Sequence, residues 1–180
     1  MRICVFGAGS VGGYLAGFLA QGGSDVSVVA RGAHLAAIRT GGLHVETPDG
    51  SIAVHLPASD DPRDLGPQDA VIVTVKAPAL PQVAAAIAPL LADHTLVAFP
   101  MNGIPWWYFH RHGGTLDGHR LPRLDPDDAL WNAIGPDRAI GGIRERHAPV
   151  GQPDVRHGGF THADVHERDD LLHFRKQRRG

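Results

Sequence analysis

A chain of 180 residues with 43% apolar side chains and a formal net charge of −2 has the size and balance of one globular domain with a sizeable core. The near-neutral charge excludes a nucleic-acid partner recruited by global electrostatics, and the single cysteine excludes a disulfide framework. No apolar run approaches the ~18 residues needed to cross a bilayer, so no membrane partner is expected, and the start, MRICVFGAG, lacks the features of a signal peptide, which makes a cytoplasmic location the expectation.

Residues Arg2–Phe6 (RICVF) read as a short buried parallel strand, with Cys4 a small core residue inside it. Glycines follow at once, then VGGYLAGFLAQGG, where Val11, Leu15, Phe18 and Leu19 share one helical face and Gly22 and Gly23 end the helix. Val26–Ala30 is a second strand, and His34–Arg39 a short helix closed by Gly41 and Gly42. Leu43–Thr47 and Ser51–Leu56 flank the turn Pro48-Asp49-Gly50 as a hairpin-like excursion. Ala70–Val75 (AVIVTV) is the clearest buried strand, and Leu80–Leu91 an amphipathic helix that starts near Pro78 and Pro81. Thr95–Phe99 is a further buried strand, ending at Pro100-Met101-Asn102-Gly103. Pro126–Ile134 reads as a helix with Asp125 as N-cap and Pro126 at its first position, and Arg138–Ile143 starts one more strand. Strands alternating with helices imply an α/β fold with a parallel sheet and helices on both faces.

The chemistry gathers at the carboxyl ends of these strands. Gly7-Ala8-Gly9-Ser10-Val11-Gly12 matches G-x-G-x-x-G directly after a strand and at the start of a helix, the context that makes this pattern a Rossmann dinucleotide site. The first glycine permits the tight turn, the second lets the backbone approach a pyrophosphate, and the third lets helix and strand pack closely. The unpaired N–H groups of the helix start then face the phosphates. A site for NADH would carry an acidic residue at the end of the second strand to bind the ribose hydroxyls. This chain has Ala30-Arg31-Gly32 there, and a guanidinium fork suits the extra 2′-phosphate of NADPH. Lys76, one of only two lysines, ends the AVIVTV strand, where a point charge can meet a phosphate. Asn102 follows a central strand, and its amide can both donate and accept hydrogen bonds; a turn role before Gly103 is the alternative.

Four segments, MRICVFGAGSVGGYLAG, VVARGAHLAAIRTGGL, VIVTVKAPAL and AFPMNGI, together resemble ketopantoate reductase (2-dehydropantoate 2-reductase), over about residues 1–143. The resemblance implies that Arg31 and Lys76 hold the 2′-phosphate end of NADPH, and that Asn102 contacts both cofactor and substrate. It implies hydride transfer from NADPH to the ketone of a small-molecule 2-oxo acid, giving pantoate from 2-dehydropantoate in pantothenate biosynthesis. In the family a lysine of a carboxyl-terminal helical domain supports the new alkoxide. Two alternatives stay open: an NADP-dependent reductase of another 2-oxo acid, and a non-catalytic nucleotide-binding fragment. The sequence does not fix an oligomeric state.

The chain changes character after the last strand. Residues 1–143 carry 9 basic and 13 acidic side chains, whereas residues 144–180 carry 8 and 6, with five of the twelve histidines and only nine apolar residues. No apolar periodicity there is long enough for a domain, and the bias to Arg, His, Asp and Gly is that of a GC-rich gene read out of frame. The expected organisation is therefore a Rossmann domain over 1–143 and an irregular tail over 144–180, frameshifted or disordered, with the family's helical domain missing. On that expectation the chain alone is inactive as a reductase and binds NADPH weakly or not at all. Pro153-Asp154-Val155-Arg156-His157 faintly echoes the family pattern, while Lys176, in FRKQRRG, matches no catalytic-lysine motif. His110 and His112 alternate without a third convergent ligand, so no metal is expected. Trp106, Trp107, Tyr108 and Phe109 are expected either to shape the substrate pocket or, preferably, to form an exposed patch against the absent domain.

Overall fold

The structure is a computed structural model that describes residues 1–47 and 50–142. The turn residues Pro48 and Asp49, the last residue of the expected final strand (Ile143) and the whole of the expected tail over 144–180 lie outside the described residues. In chain order the elements are β1 (Arg2–Phe6), α1 (Ser10–Gln21), β2 (Asp25–Val29), α2 (Gly32–Gly41), β3 (Leu43–Thr47), β4 (Gly50–Val54), β5 (Ala58–Ser59), β6 (Gln68–Val73), α3 (Leu80–Ala86), β7 (Leu91–Pro100), α4 (Ala129–Ala133) and β8 (Ala139–Gly142).

Among the described residues, six strands form one parallel sheet in the order β5-β2-β1-β6-β7-β8. The chain runs outward from β1 to β5, then crosses back to β6 and continues to β8. The sheet therefore reverses direction of growth between β1 and β6, the place where open α/β sheets leave a crevice at their carboxyl ends. β3 and β4 pair antiparallel as a separate two-stranded hairpin, as the sequence predicts.

Strand alternation divides the core into two layers. Cys4, Phe6, Val71, Val73, Val97 and Phe99 face α3 and α4, together with Leu80, Val83, Ile87, Leu90 and Leu130. Val5, Val26 and Val28 face α1, α2 and the hairpin, together with Ala16, Leu35, Ile38, Val45 and Ile52. Helices thus cover both faces, which is the Rossmann arrangement expected from the sequence.

Four local expectations need correction. The buried face of α1 is Gly12, Gly13, Ala16 and Gly17, whereas Phe18 is exposed. The helix packs by backbone approach: a Cβ on Gly17 would come within 2.9 Å of Val45 Cγ2 of the hairpin. The helix predicted over 80–91 stops at Ala86, because Pro89 has no N–H to continue the α-helical ladder; residues 88–90 form a 3₁₀ turn and Leu91 already belongs to β7. The helix predicted over 126–134 is a 3₁₀ turn at Pro126–Asp128 followed by a kink and the short α4, with Asp127 and Asp128 both left-handed. Asp125 still caps α4, but from across the kink: its Oδ1 accepts from Leu130 N at 2.8 Å and its Oδ2 from Trp131 N at 2.9 Å. Finally, the aromatic segment follows neither expectation as a whole. Trp106 is a core residue packed against Phe99, Trp107 and Trp131, Trp107 is half-buried beside it, and Tyr108 is exposed.

Cys4 is fully buried, and burial pushes its thiol up to about 12. A thiol so protonated and enclosed is inert. Ellman's reagent is expected to leave the native chain unlabelled at pH 8 and to label it stoichiometrically only in denaturant; rapid labelling of the native protein would contradict this packing.

Candidate functional site: a crevice at the sheet's carboxyl edge

The glycine turn after β1 is held from two sides. Gly7 has φ +105°, a conformation costly for any residue with a Cβ, and its N–H donates to Val29 O of β2 at 2.9 Å. From the other side the Thr74 hydroxyl, just beyond β6, donates to Gly7 O at 2.6 Å. Gly12 lies under this clamp, and a Cβ there would collide with the Gly7 carbonyl and the Thr74 hydroxyl. Gly9 is different. It is the N-cap of α1 with φ −68° and ψ −168°, which any residue can adopt, and a Cβ on it would meet nothing within 4 Å. Nothing among the described residues requires glycine there; the space above it is open.

That space is the mouth of a crevice of about 340 Å³. Its lining comes from the carboxyl ends of three adjacent strands and from α3: Phe6–Gly9 after β1, Val29–Arg31 and His34 around the end of β2, Asp60 after β5, and Gln82 and Val83 from α3, with Val75, Ala79 and Ala86 beside them. The helix start beside it carries no side-chain cap and no acidic residue in its first turn. Free N–H groups and the positive end of the helix thus face an open crevice, an arrangement that suits a phosphate. The cradle above Gly9 and the uncapped start of α1 fit a dinucleotide.

The sequence-predicted residues divide into two groups. Gly7, Ala8, Gly9 and Arg31 line the crevice, and Ser10, Val11 and Gly12 form the first turn of α1 directly behind it. Arg31 is the N-cap of α2, and its Nη1 donates to Gln82 Oε1 at 3.2 Å. Lys76 stands beyond the end of β6 rather than inside the strand. It is the exposed N-cap of the 3₁₀ turn leading into α3, and it is not part of the crevice lining. Asn102 follows β7 at the same edge of the sheet, exposed and also outside the lining.

Sequence reasoning missed His34, Asp60 and Gln82 as crevice residues. Asp60 directly follows β5, a two-residue strand with no readable pattern, fixed by hydrogen bonds from Val28 N to Pro57 O and from Ala30 N to Ser59 O. His34 could have been found, since it lies on the first turn after Arg31. Gln82 could not, because only the crossover brings the start of α3 to the same edge of the sheet as the residues that follow β2.

Similarity to known proteins coincides with this architecture. The family model for ketopantoate reductase PanE/ApbA matches residues 3–105, from β1 through the segment after Asn102. A 2-dehydropantoate 2-reductase of Mesorhizobium japonicum is 48% identical over 160 residues, covering 87% of this chain and 49% of that protein. A solved structure assigned to ketopantoate reductase from Ralstonia solanacearum MolK2 superposes with a TM-score of 0.74 at 46% identity, covering 79% of this chain and 44% of that one. The 2-dehydropantoate 2-reductase of Porphyromonas gingivalis W83 superposes with a TM-score of 0.60 at 30% identity, covering 79% of this chain and 46% of that one. The chain spans about half the length of these proteins. On the strength of the matched strand, glycine turn and sheet order, the chain belongs to the ketopantoate reductase family.

Proposed function

We propose that the crevice binds NADPH and that the chain is the dinucleotide-binding part of a reductase that converts 2-dehydropantoate to pantoate. The observation that carries this reading is the placement of Arg31, a cation at the mouth of the crevice where a site for NADH would present a carboxylate. In this reading the amides that open α1 hold the pyrophosphate, and Arg31 holds the 2′-phosphate. Lys76, exposed beyond the end of β6, would add a second positive charge for the phosphate. Asn102, which follows β7 at the same edge, would hydrogen-bond the nicotinamide and the substrate through its amide. The cofactor supplies the hydride; the residues of this chain bind and orient it.

Because the chain spans about half of its relatives, the informative measurement is a ratio between cofactors rather than an absolute affinity. Titration is expected to show NADPH bound about tenfold or more tightly than NADH, since a charge-assisted hydrogen bond contributes about 1.5–3 kcal/mol. Arg31→Ala should remove that preference and leave NADH binding unchanged. Equal affinities in the parent chain, or a preference for NADH, would sink the assignment.

A further inference from the structure

We propose that Gln82 is a positioning residue for Arg31, holding its guanidinium at the crevice so that the site selects an adenosine group bearing a 2′-phosphate. The inference rests on the reading of the crevice as a dinucleotide site and names what sets its selectivity. Arg31 and Gln82 are 51 residues apart in sequence, yet Arg31 Nη1 donates to Gln82 Oε1 at 3.2 Å across the crevice, from the start of α2 to α3. Both side chains line the same cavity as His34 and Asp60.

Two physical points give the contact its meaning. An exposed arginine samples many rotamers, and ordering it opposes ligand binding. An anchor already made in the free protein removes part of that loss. The anchor is also neutral. Asp60 lines the crevice, yet Arg31 is in no ion pair among the described residues; its partner is an amide oxygen. A carboxylate partner would compensate the charge that a phosphate needs. An amide takes one of the five guanidinium donors and leaves the cation and the rest of its fork available.

The test compares 2′,5′-ADP with 5′-AMP, probes that differ by the 2′-phosphate alone, titrated into the whole 180-residue chain by NMR. The parent chain should prefer 2′,5′-ADP. Gln82→Leu should lower that preference about three- to tenfold, weakening 2′,5′-ADP more than 5′-AMP, as expected when the ordering of the arginine is lost. Gln82→Glu should abolish the preference, because the new carboxylate pairs with Arg31 and repels the phosphate. Arg31→Ala supplies the reference for complete loss. Equal weakening of both nucleotides in the Gln82 variants would mean a merely structural role and overturn the proposal. Retention of the preference in both Gln82 variants, with loss in Arg31→Ala, would overturn the role of Gln82 and leave the site standing. No preference in the parent chain would remove the site and the inference together.

Discussion

Gly12→Ala should destabilise the fold by about 2 kcal/mol or more, whereas Gly9→Ser should keep the fold and weaken nucleotide binding. The two positions belong to one motif, and the structure separates their reasons for being glycine. At Gly12 an added Cβ runs into the Gly7 carbonyl and the Thr74 hydroxyl, which are themselves tied to each other by a 2.6 Å hydrogen bond. Neither is the free end of a flexible side chain, so α1 must move away from β1. Overpacking of this kind costs about 3 kcal/mol or more, and alanine's better helix propensity returns only about 1 kcal/mol, a net loss of at least ~2 kcal/mol. At Gly9 the backbone is extended and the space beyond it is open. A serine there can cap α1 with its hydroxyl, so stability should stay level or rise by a few tenths of a kcal/mol. The same hydroxyl then occupies the place of a phosphate oxygen, and nucleotide binding should fall about tenfold or more, equivalent to ~1.4 kcal/mol. Urea denaturation and NADPH titration of both variants check this. A Gly12→Ala chain with the parent's midpoint, or a Gly9→Ser chain with the parent's affinity, would contradict it.

The second large effect lies far from the crevice. Asp125→Ala should destabilise the chain by about 2–4 kcal/mol, because hydrogen bonds to a charged group contribute about 1.5–3 kcal/mol each and buried donors left unpaired add their desolvation cost. Asp125 is only 4% exposed, and its two carboxylate oxygens are shared between the N–H groups of Leu130 and Trp131. The kink at Asp127 and Asp128 makes this reach possible, bending the chain so that a residue five positions upstream meets the first turn of α4. Asp125→Asn should fall between alanine and the parent, since one amide oxygen can accept only part of the pattern and the amide nitrogen opposes the other donor. Denaturation midpoints should rank parent, asparagine, alanine. A parent-like midpoint for the alanine variant would show that the cap carries no weight.

Much of the sheet was legible because burial leaves a strong imprint on short strands. The apolar pattern delimits Arg2–Phe6 as observed, and marks the strands around Val26, Val71 and Val97 to within a few residues. The crevice was legible where its chemistry is local, in Gly7–Gly12 and Arg31. It was illegible where chain crossing makes the contact. Asp60 depends on β5, two residues with a pairing to β2 but no periodicity, and Gln82 depends on the crossover that sets α3 beside the second strand. The buried face of α1 was misread because the apolar pattern marks Val11, Leu15, Phe18 and Leu19, while close packing chose the smallest side chains instead. The sequence places Lys76 at the end of a strand, but β6 stops at Val73 and the lysine belongs to the turn beyond.

The two-layered core has a spectroscopic corollary. All three tryptophans belong to one layer, with the Trp106 ring centroid 5.0 Å from that of Trp107 and 6.0 Å from that of Trp131. The opposite layer, built on α1, α2 and the hairpin, contributes Tyr14 but no indole. Emission excited at 295 nm therefore watches only the half of the molecule remote from the glycine helix. Opening confined to the layer around α1 and α2 would escape that signal and be registered by far-ultraviolet circular dichroism.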